Sequence, residues 1–437
     1  MAAPEAGPGM RPSFWRRHRV AIGFLAPAIG LLGVWIVYPT VYTIIRSFFD
    51  RGGSEFVGLD NYERIFTTDV LVTAVQNNAI WLAVVPALVT AIGLIFGVLI
   101  ERIRWSVAFR AAVFMPMAIS LFAAGVIWRV MDQQDPKVGA LNAGIGAIVD
   151  AVDPPGGLPT AQPSSGDLSG TPEVGLSFKK PLRAGDVAEL GLTGIPPDAT
   201  PEDTVQARAP GPVPGGIAGL VWRDFKPGGG EPGVIEPEEP GLPGVTVELR
   251  GSDGQVLATA ETETDGSFVF EAVEAGEHTV AIGPETFQEA FSGVEWLGSK
   301  LITPAVMIAY IWVWAGFAMV VIAAGLAALP RDVLEAARTD GASERQVFRR
   351  VTVPLLRPVL IVVFVTMLIN VLKVFDIVLS VAPASVQDDA NVIALAMWRT
   401  SFGGVNDFGL GSAIAVFLFL LVIPLLLLNI RNFRREA

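Results

Sequence analysis

Six apolar stretches constrain this chain more than anything else in it: Val20 to Ile44, Ala79 to Ile100, Ala111 to Trp128, Ala305 to Leu329, Val359 to Leu379 and Ala413 to Ile430. The first holds about 25 residues, roughly 37 Å of helix, which is enough to cross the hydrocarbon of a bilayer. Lipid offers no water to a free amide or carbonyl, so a segment inside it must satisfy its backbone internally, as a helix does. Composition agrees: 51 % of the 437 residues are hydrophobic and 17 % charged, which is wrong for a soluble chain of this size. The fold class expected is a polytopic α-helical membrane protein with six transmembrane helices. A cleaved signal peptide would have a shorter apolar core ending at small residues. This one runs on through Tyr38, Pro39 and Tyr42, so it is read as an uncleaved first span.

The net charge of -12 divides unevenly. From Asp132 to Gly298 there are 27 acidic and 8 basic residues, a net of -19, which leaves +7 for the rest. A basic membrane part therefore carries an acidic insert. Arginine is dense before span one (Arg16, Arg17, Arg19), between spans two and three (Arg102, Arg104), after span four and at the tail (Arg431, Arg434, Arg435). Positive charge marks the cytoplasmic side, so both termini are expected inside and the insert outside. The domains expected are a cytoplasmic tail at 1–19, spans one to three at 20–130, an extracytoplasmic insert at 131–300 and spans four to six at 301–437.

Within the insert, Gly139 to Val152 has the pattern of a short amphipathic helix, and about 153–172 is a Pro-, Gly- and Ser-rich linker. The stretch 174–209 is ambiguous. Between about 215 and 283 the runs IAGLVW, GVTVELR, QVLATAETE, SFVFEA and HTVAIG are separated by Gly, Pro and Asp turns, the pattern of a β-sandwich. Through GLVWRD, GVTVEL and TDGSFVF this segment resembles the prealbumin-like repeats of Gram-positive surface proteins. Some of those carry a calcium site after the W-x-D or a Lys to Asn isopeptide. Here Asp224 is followed by Phe225, Lys226 and Pro227, and the last strand has no obvious Asn, so neither feature is expected. With no cysteine, and with His18 and His278 the sole histidines, no catalytic residue and no metal site are expected.

The polar stretch Glu335 to Pro358, EAARTDGASERQVFRRVTVPLLRP, lies between spans four and five. Asp332 and Glu335 have capping-box spacing, which predicts a helix from Val333 with Glu335 as its N3 residue; Gly341 supplies the positive φ that ends it. Ser343 and Gln346 repeat the spacing and start a second helix, expected to stop near Pro354. The charged loop could fold as a helical hairpin for no further reason. The run E-A-A-x-x-D-G-A, continued by Phe348, Val351, Pro354 and Pro358, nonetheless resembles the EAA loop of bacterial ABC-importer permeases, which docks into a cleft on the ATP-hydrolysing subunit. That resemblance makes 332–358 the coupling loop and Glu335, Ala336, Ala337, Asp340, Gly341 and Ala342 its contact residues.

Span five contains a second polar cluster. Asn370, Lys373 and Asp376 are spaced by three in NVLKVFD, so on a continuous helix they share a face. Polar groups inside a span face a cavity or a partner; a Lys373–Asp376 ion pair near the helix end is the plainer alternative. As a polar lining for a solute path they suit sugar hydroxyls, with Trp312, Trp314 and Phe375 as stacking faces; each aromatic serves equally well as belt or core.

FVGLDNY, NNAIWL, FMPMAIS with GVIW, and FDIVLSVAPASVQDDANVIALAMWRTSFGG make the chain outside the insert similar to the larger-type permease of maltose-like carbohydrate importers, the α-glucoside branch above all. The resemblance implies a bacterial cytoplasmic-membrane complex of this permease, a second permease, an ATPase dimer and an extracytoplasmic sugar-binding protein. The lipid bilayer is its solvent, and no nucleic acid is involved. The sequence holds no Gly-Lys dipeptide and so no Walker A cradle; the chain is expected to bind no cofactor, its partner using the ATP. A secondary solute transporter, or a membrane-anchored surface protein using the β-sandwich for adhesion, are the alternatives.

Overall fold

The computed structural model describes residues 14–100, 103–197 and 204–436, without the side chains of 14–22 and 425–436. The tail before Phe14, the pair Glu101 and Arg102, and the side chains of Arg16, Arg17, Arg19, Arg431, Arg434 and Arg435, on which much of the orientation argument rests, lie outside what is described. The chain divides into two units, Met1–Asp132 with Glu295–Ala437, and Gln133–Val294.

In the first unit, four helices among the described residues are long and apolar enough to cross a membrane: Gly23–Arg46, Asp69–Ile100, Ile302–Ala327 and Glu344–Leu372. A bent pair, Ser106–Ala118 with Leu121–Met131, makes a fifth if counted as one span. The final helix, Phe408–Glu436, has described side chains only as far as Pro424. The Asp69–Ile100 helix packs along Ile302–Ala327, where buried Trp81 meets Tyr310 edge to face at 5.4 Å.

Two spans depart from the sequence expectation. The straight helix expected over 111–128 is broken and turns by 104°. Met115–Ala118 tightens into a 3-10 turn around Pro116; Ser120 then takes an extended conformation and caps a new helix by accepting from the Ala123 amide at 3.1 Å. A hydropathy window registers apolar content and is blind to such a bend. The second half returns along the short helix Asp376–Val381. Their approach is close: a Cβ on Gly125 would fall 1.8 Å from the Ser380 hydroxyl oxygen.

The other departure follows the coupling loop. The helix beginning at Glu344 does not stop near Pro354 but continues to Leu372. A π turn over Phe348–Thr352 precedes Pro354, and this one-residue widening carries the helix into Pro354, which has no amide donor, while Pro358 is taken up inside the helix one turn on.

The second unit starts with the helix Ala140–Val152, as expected, and continues into two sheets. The strands are β1 (Gln162–Pro163), β2 (Leu168–Thr171), β3 (Gly175–Phe178), β4 (Val187–Thr193), β5 (Ile217–Arg223), β6 (Thr246–Arg250), β7 (Val256–Glu261), β8 (Ser267–Phe270) and β9 (Thr279–Ile282). One sheet runs β1-β4-β5-β8 and the other β2-β3-β9-β6-β7. Pairing is antiparallel except between β4 and β5, which set Leu190 beside Val221. Leu190, Ile217 and Phe268 from the first sheet and Leu176, Val247 and Ile282 from the second share one buried core. The linker expected at about 153–172 is thus partly strand: β1 and β2 pair with β4 and β3. The ambiguous stretch after it supplies a central strand, since Leu190 and Leu192 alternate inward within β4.

Candidate functional site

The loop between Ile302–Ala327 and Glu344–Leu372 folds as a helical hairpin. Its first helix, Arg331–Thr339, begins earlier than the capping-box reading predicts: Pro330, with ψ 119°, is the N-cap, and no side chain caps the start. Proline fixes the chain's entry into the first turn, where no amide donor is needed. Asp332 lies in that turn, where its charge suits the helix dipole. Glu335 is therefore no capping residue, and its carboxylate is exposed and held by no hydrogen bond or ion pair among the described residues.

The turn is tightly specified. Gly341 has φ +83°, its amide donates to the Arg338 carbonyl at 3.0 Å and the Ala342 amide to that of Ala337 at 3.1 Å. That is the paired hydrogen bonding of a Schellman turn, which requires a left-handed residue where this glycine stands. The capping box at Ser343 forms as predicted, with the Ser343 amide donating to Gln346 Oε1 at 2.8 Å and the Gln346 amide to Ser343 Oγ at 3.4 Å. Arg338 Nε reaches Glu344 Oε1 across the turn at 2.8 Å; as an exposed pair it adds little to stability. The hairpin flanks a cleft of about 610 Å³ lined by Leu94, Val98, Leu329, Leu334, Val347 and Phe348. Glu335, Ala336, Asp340 and Gly341 face outward and Ala337 and Ala342 are half-buried, so the hairpin offers a small-residue surface edged by the exposed carboxylates of Glu335 and Asp340.

The polar cluster of span five is arranged differently from the expectation. The helix ends at Leu372, Lys373 is its C-cap, and Asp376 opens the next helix after the irregular Phe375, at φ -150° and ψ -60°. Asn370, Lys373 and Asp376 therefore share no continuous helix face. Nor do Lys373 and Asp376 pair: both are exposed and no ion pair joins them. Asn370 donates to the Thr366 carbonyl of its own helix at 3.0 Å. Trp312 stands edge-on to Trp128 at 5.9 Å, while Trp314 lies 5.9 Å from Tyr310 and 5.8 Å from Phe317. Phe375 meets Trp398 at 5.5 Å. The Lys373 amide donates to the Asn370 carbonyl at 3.1 Å, closing the helix end, but among the described residues no side-chain hydrogen bond, ion pair or ring contact joins any two of Asn370, Lys373, Asp376, Trp312 and Trp314.

Sequence reasoning passed over the residues that hold the chain after this unwound segment. Asn77 donates to the carbonyls of Asp389 at 2.7 Å and Asn391 at 2.9 Å, and Asn78 Oδ1 accepts from the Ile393 amide at 2.6 Å. Both are buried in the Asp69–Ile100 helix. Two adjacent asparagines in an apolar helix were the available signal, because such groups need partners there.

Asp132, just past the broken span, is 1 % exposed and its Oδ2 has no hydrogen-bond partner among the described residues. Burial pushes its carboxyl from the usual 3.8 up to about 6. The folded protein thus takes up this proton before the unfolded chain does. As pH falls from 6 toward 3.8, Asp132 should add stability on the order of 3 kcal/mol, which is lost again as pH rises. Asp132→Asn should flatten that part of the profile and raise the melting temperature at pH 7, as thermal unfolding of the purified protein at pH 5 and 7 would show.

The chain has counterparts of known kind. The family model described as binding-protein-dependent transport system inner membrane component matches residues 268–433, and that of the SdrD B-like domain matches 215–293. The osmoprotective compounds uptake permease protein GgtC of Synechocystis sp. is 27 % identical over 94 % of this chain and 98 % of its own length. The alpha-glucoside transport system permease protein AglF of Rhizobium meliloti is 28 % identical over 95 % of this chain and 82 % of its own. In fold, the chain is similar to a chain of a bacterial ABC transporter involved in the import of alginate, with a TM-score of 0.56 at 13 % identity, covering 96 % of this chain and 97 % of that one.

Proposed function

We propose that this chain, a permease subunit of the carbohydrate ABC-importer family, lines the path of an α-glucoside or similar oligosaccharide and couples it through the hairpin at 332–358 to a separate ATPase. The observation that carries the coupling role is the Schellman-turned hairpin, whose exposed Glu335 is left unengaged by the chain's own caps. In this reading the chain crosses the membrane six times with both termini in the cytoplasm, the broken span and the final helix each counting as one crossing, and the insert lies outside. Its partners are a cytoplasmic ATPase dimer, a second permease and an extracytoplasmic sugar-binding protein. ATP is bound by the partner, for which this chain offers no phosphate cradle.

Closure of the ATPase pair would move the docked hairpin. The helix capped by Ser343 runs from Glu344 to Leu372 without a break, so a push on the hairpin travels as a rigid displacement to the unwound segment at Lys373. Lys373 and Asp376, exposed and unpaired, are placed there to hydrogen-bond sugar hydroxyls. Lys373→Met should reduce uptake at least about tenfold, the scale of losing one charge-assisted hydrogen bond, while leaving ATPase binding unchanged.

The test is solute uptake into vesicles containing the assembled complex. Uptake that requires ATP and survives collapse of the proton and sodium gradients supports the importer; uptake driven by either gradient without ATP points to a secondary transporter.

A further inference from the structure

The helix Ala140–Val152 turns Asn142 and the half-buried Asp150 to one side and leaves its apolar side uncovered among the described residues. Asn142, completely buried, donates to the carbonyls of Gln133 and Val294, each at 2.9 Å, and accepts from the Val294 amide at 2.8 Å. One turn on, a Cβ at Gly146 would lie 3.2 Å from the Phe291 ring. These contacts fix the helix's rotation. The side turned away presents Ala140, Gly144, Ala147 and Ile148. Ile148 is 70 % exposed, Val152 83 % and Val138, just ahead, 58 %. No charged residue lies between Val138 and Val149. A helix on a water-facing surface carries its polar residues outward; this one reverses the pattern.

The chain supplies the occupant for that face. Ala140 follows the apolar helix Leu121–Met131 by a connection too short to carry it more than roughly 30 Å away. We propose that Ala140–Val152 lies in the plane of the membrane interface, with Ile148 and Val152 turned into the acyl region, and so moors the β-sheet insert to the lipid surface. The helix has no Lys or Arg and one acidic residue, Asp150, so its attachment depends on apolar insertion and gains nothing from anionic lipid, unlike that of basic amphipathic helices. The inference rests on the reading that the flanking segments span the membrane.

The chain contains no cysteine, so single-cysteine spin labels report without background. In nanodiscs of phosphatidylcholine, full-length I148C and V152C would be compared with L88C, on an exposed position of the Asp69–Ile100 helix, and with V256C, on exposed β7. The readout is accessibility to oxygen relative to a water-soluble nickel complex. The expected result is a ratio at 148 and 152 several-fold above that at 256 and close to that at 88, not raised when anionic lipid is added. A ratio like that at 256 overturns the proposal. Labels shielded from both reagents also overturn it, because a protein surface then covers the helix. If position 88 itself reports water, the spanning reading fails, and the mooring with it.

Discussion

Gly316→Val is expected to prevent the membrane unit from assembling. A Cβ at Gly316 would fall 2.4 Å from the Val113 carbonyl oxygen and 2.8 Å from the Phe114 Cα. These are backbone atoms of the neighbouring helix and cannot swing aside as a side-chain tip can, so the helices must separate. Overpacking a well-fitted contact costs about 1–3 kcal/mol; two further methyl groups take valine to the upper end or beyond. Gly316→Ala should fall between wild type and valine, and Gly30→Ala, where a Cβ would meet nothing within 4 Å, should leave stability intact. Melting temperature and monodisperse yield in detergent would rank the three.

A second large effect is expected at Gly341, of a different kind. Nothing lies within 4 Å of a Cβ there, so the penalty for substitution is conformational: proline is locked near φ -65° where the turn requires +83°. Gly341→Pro also removes the amide that bonds the Arg338 carbonyl. The hairpin should lose its turn while the spans keep their packing, so that ATP-driven uptake falls at least about tenfold, the effect of about 1.4 kcal/mol, with the melting temperature nearly unchanged. Gly341→Ala should be milder, since alanine enters the left-handed region at about 1–2 kcal/mol. Uptake and thermal unfolding measured on the same preparations would separate this loss of coupling from a loss of fold.

Much of the architecture was legible because its causes are local. Ser343 with Gln346, and the glycine at 341, specify their hairpin through bonds between near neighbours, and the fold realises both. Asp332 and Glu335 have the same spacing but form no cap, because Pro330 had already set the helix start. The bend at Ser120 and the continuation through Pro354 were hidden for a related reason: each depends on how the backbone reroutes its hydrogen bonds around a proline. Similarly, β1 and β2 lie in a Pro- and Gly-rich stretch whose pairing with β4 and β3 is fixed by tertiary context.

The candidate path was the least legible part. Spacing of three implies a shared face only if the helix continues, and it ends at Leu372. The partners of Asn77 and Asn78 lie more than 300 residues away, so the sequence shows the need for a partner without naming it. Asn142, whose three bonds tie together the two ends of the insert, is silent for the same reason.

The coupling role of the hairpin is tested most directly by purifying the intact protein from its membrane with and without the paired substitution Glu335→Ala and Gly341→Pro, and asking whether an ATP-hydrolysing subunit accompanies it. The account predicts that the subunit stays with the wild type and is lost from the variant, while the variant's other membrane partner is retained. A wild-type preparation free of any nucleotide-binding subunit, or a variant that holds one as firmly as the wild type, would contradict it.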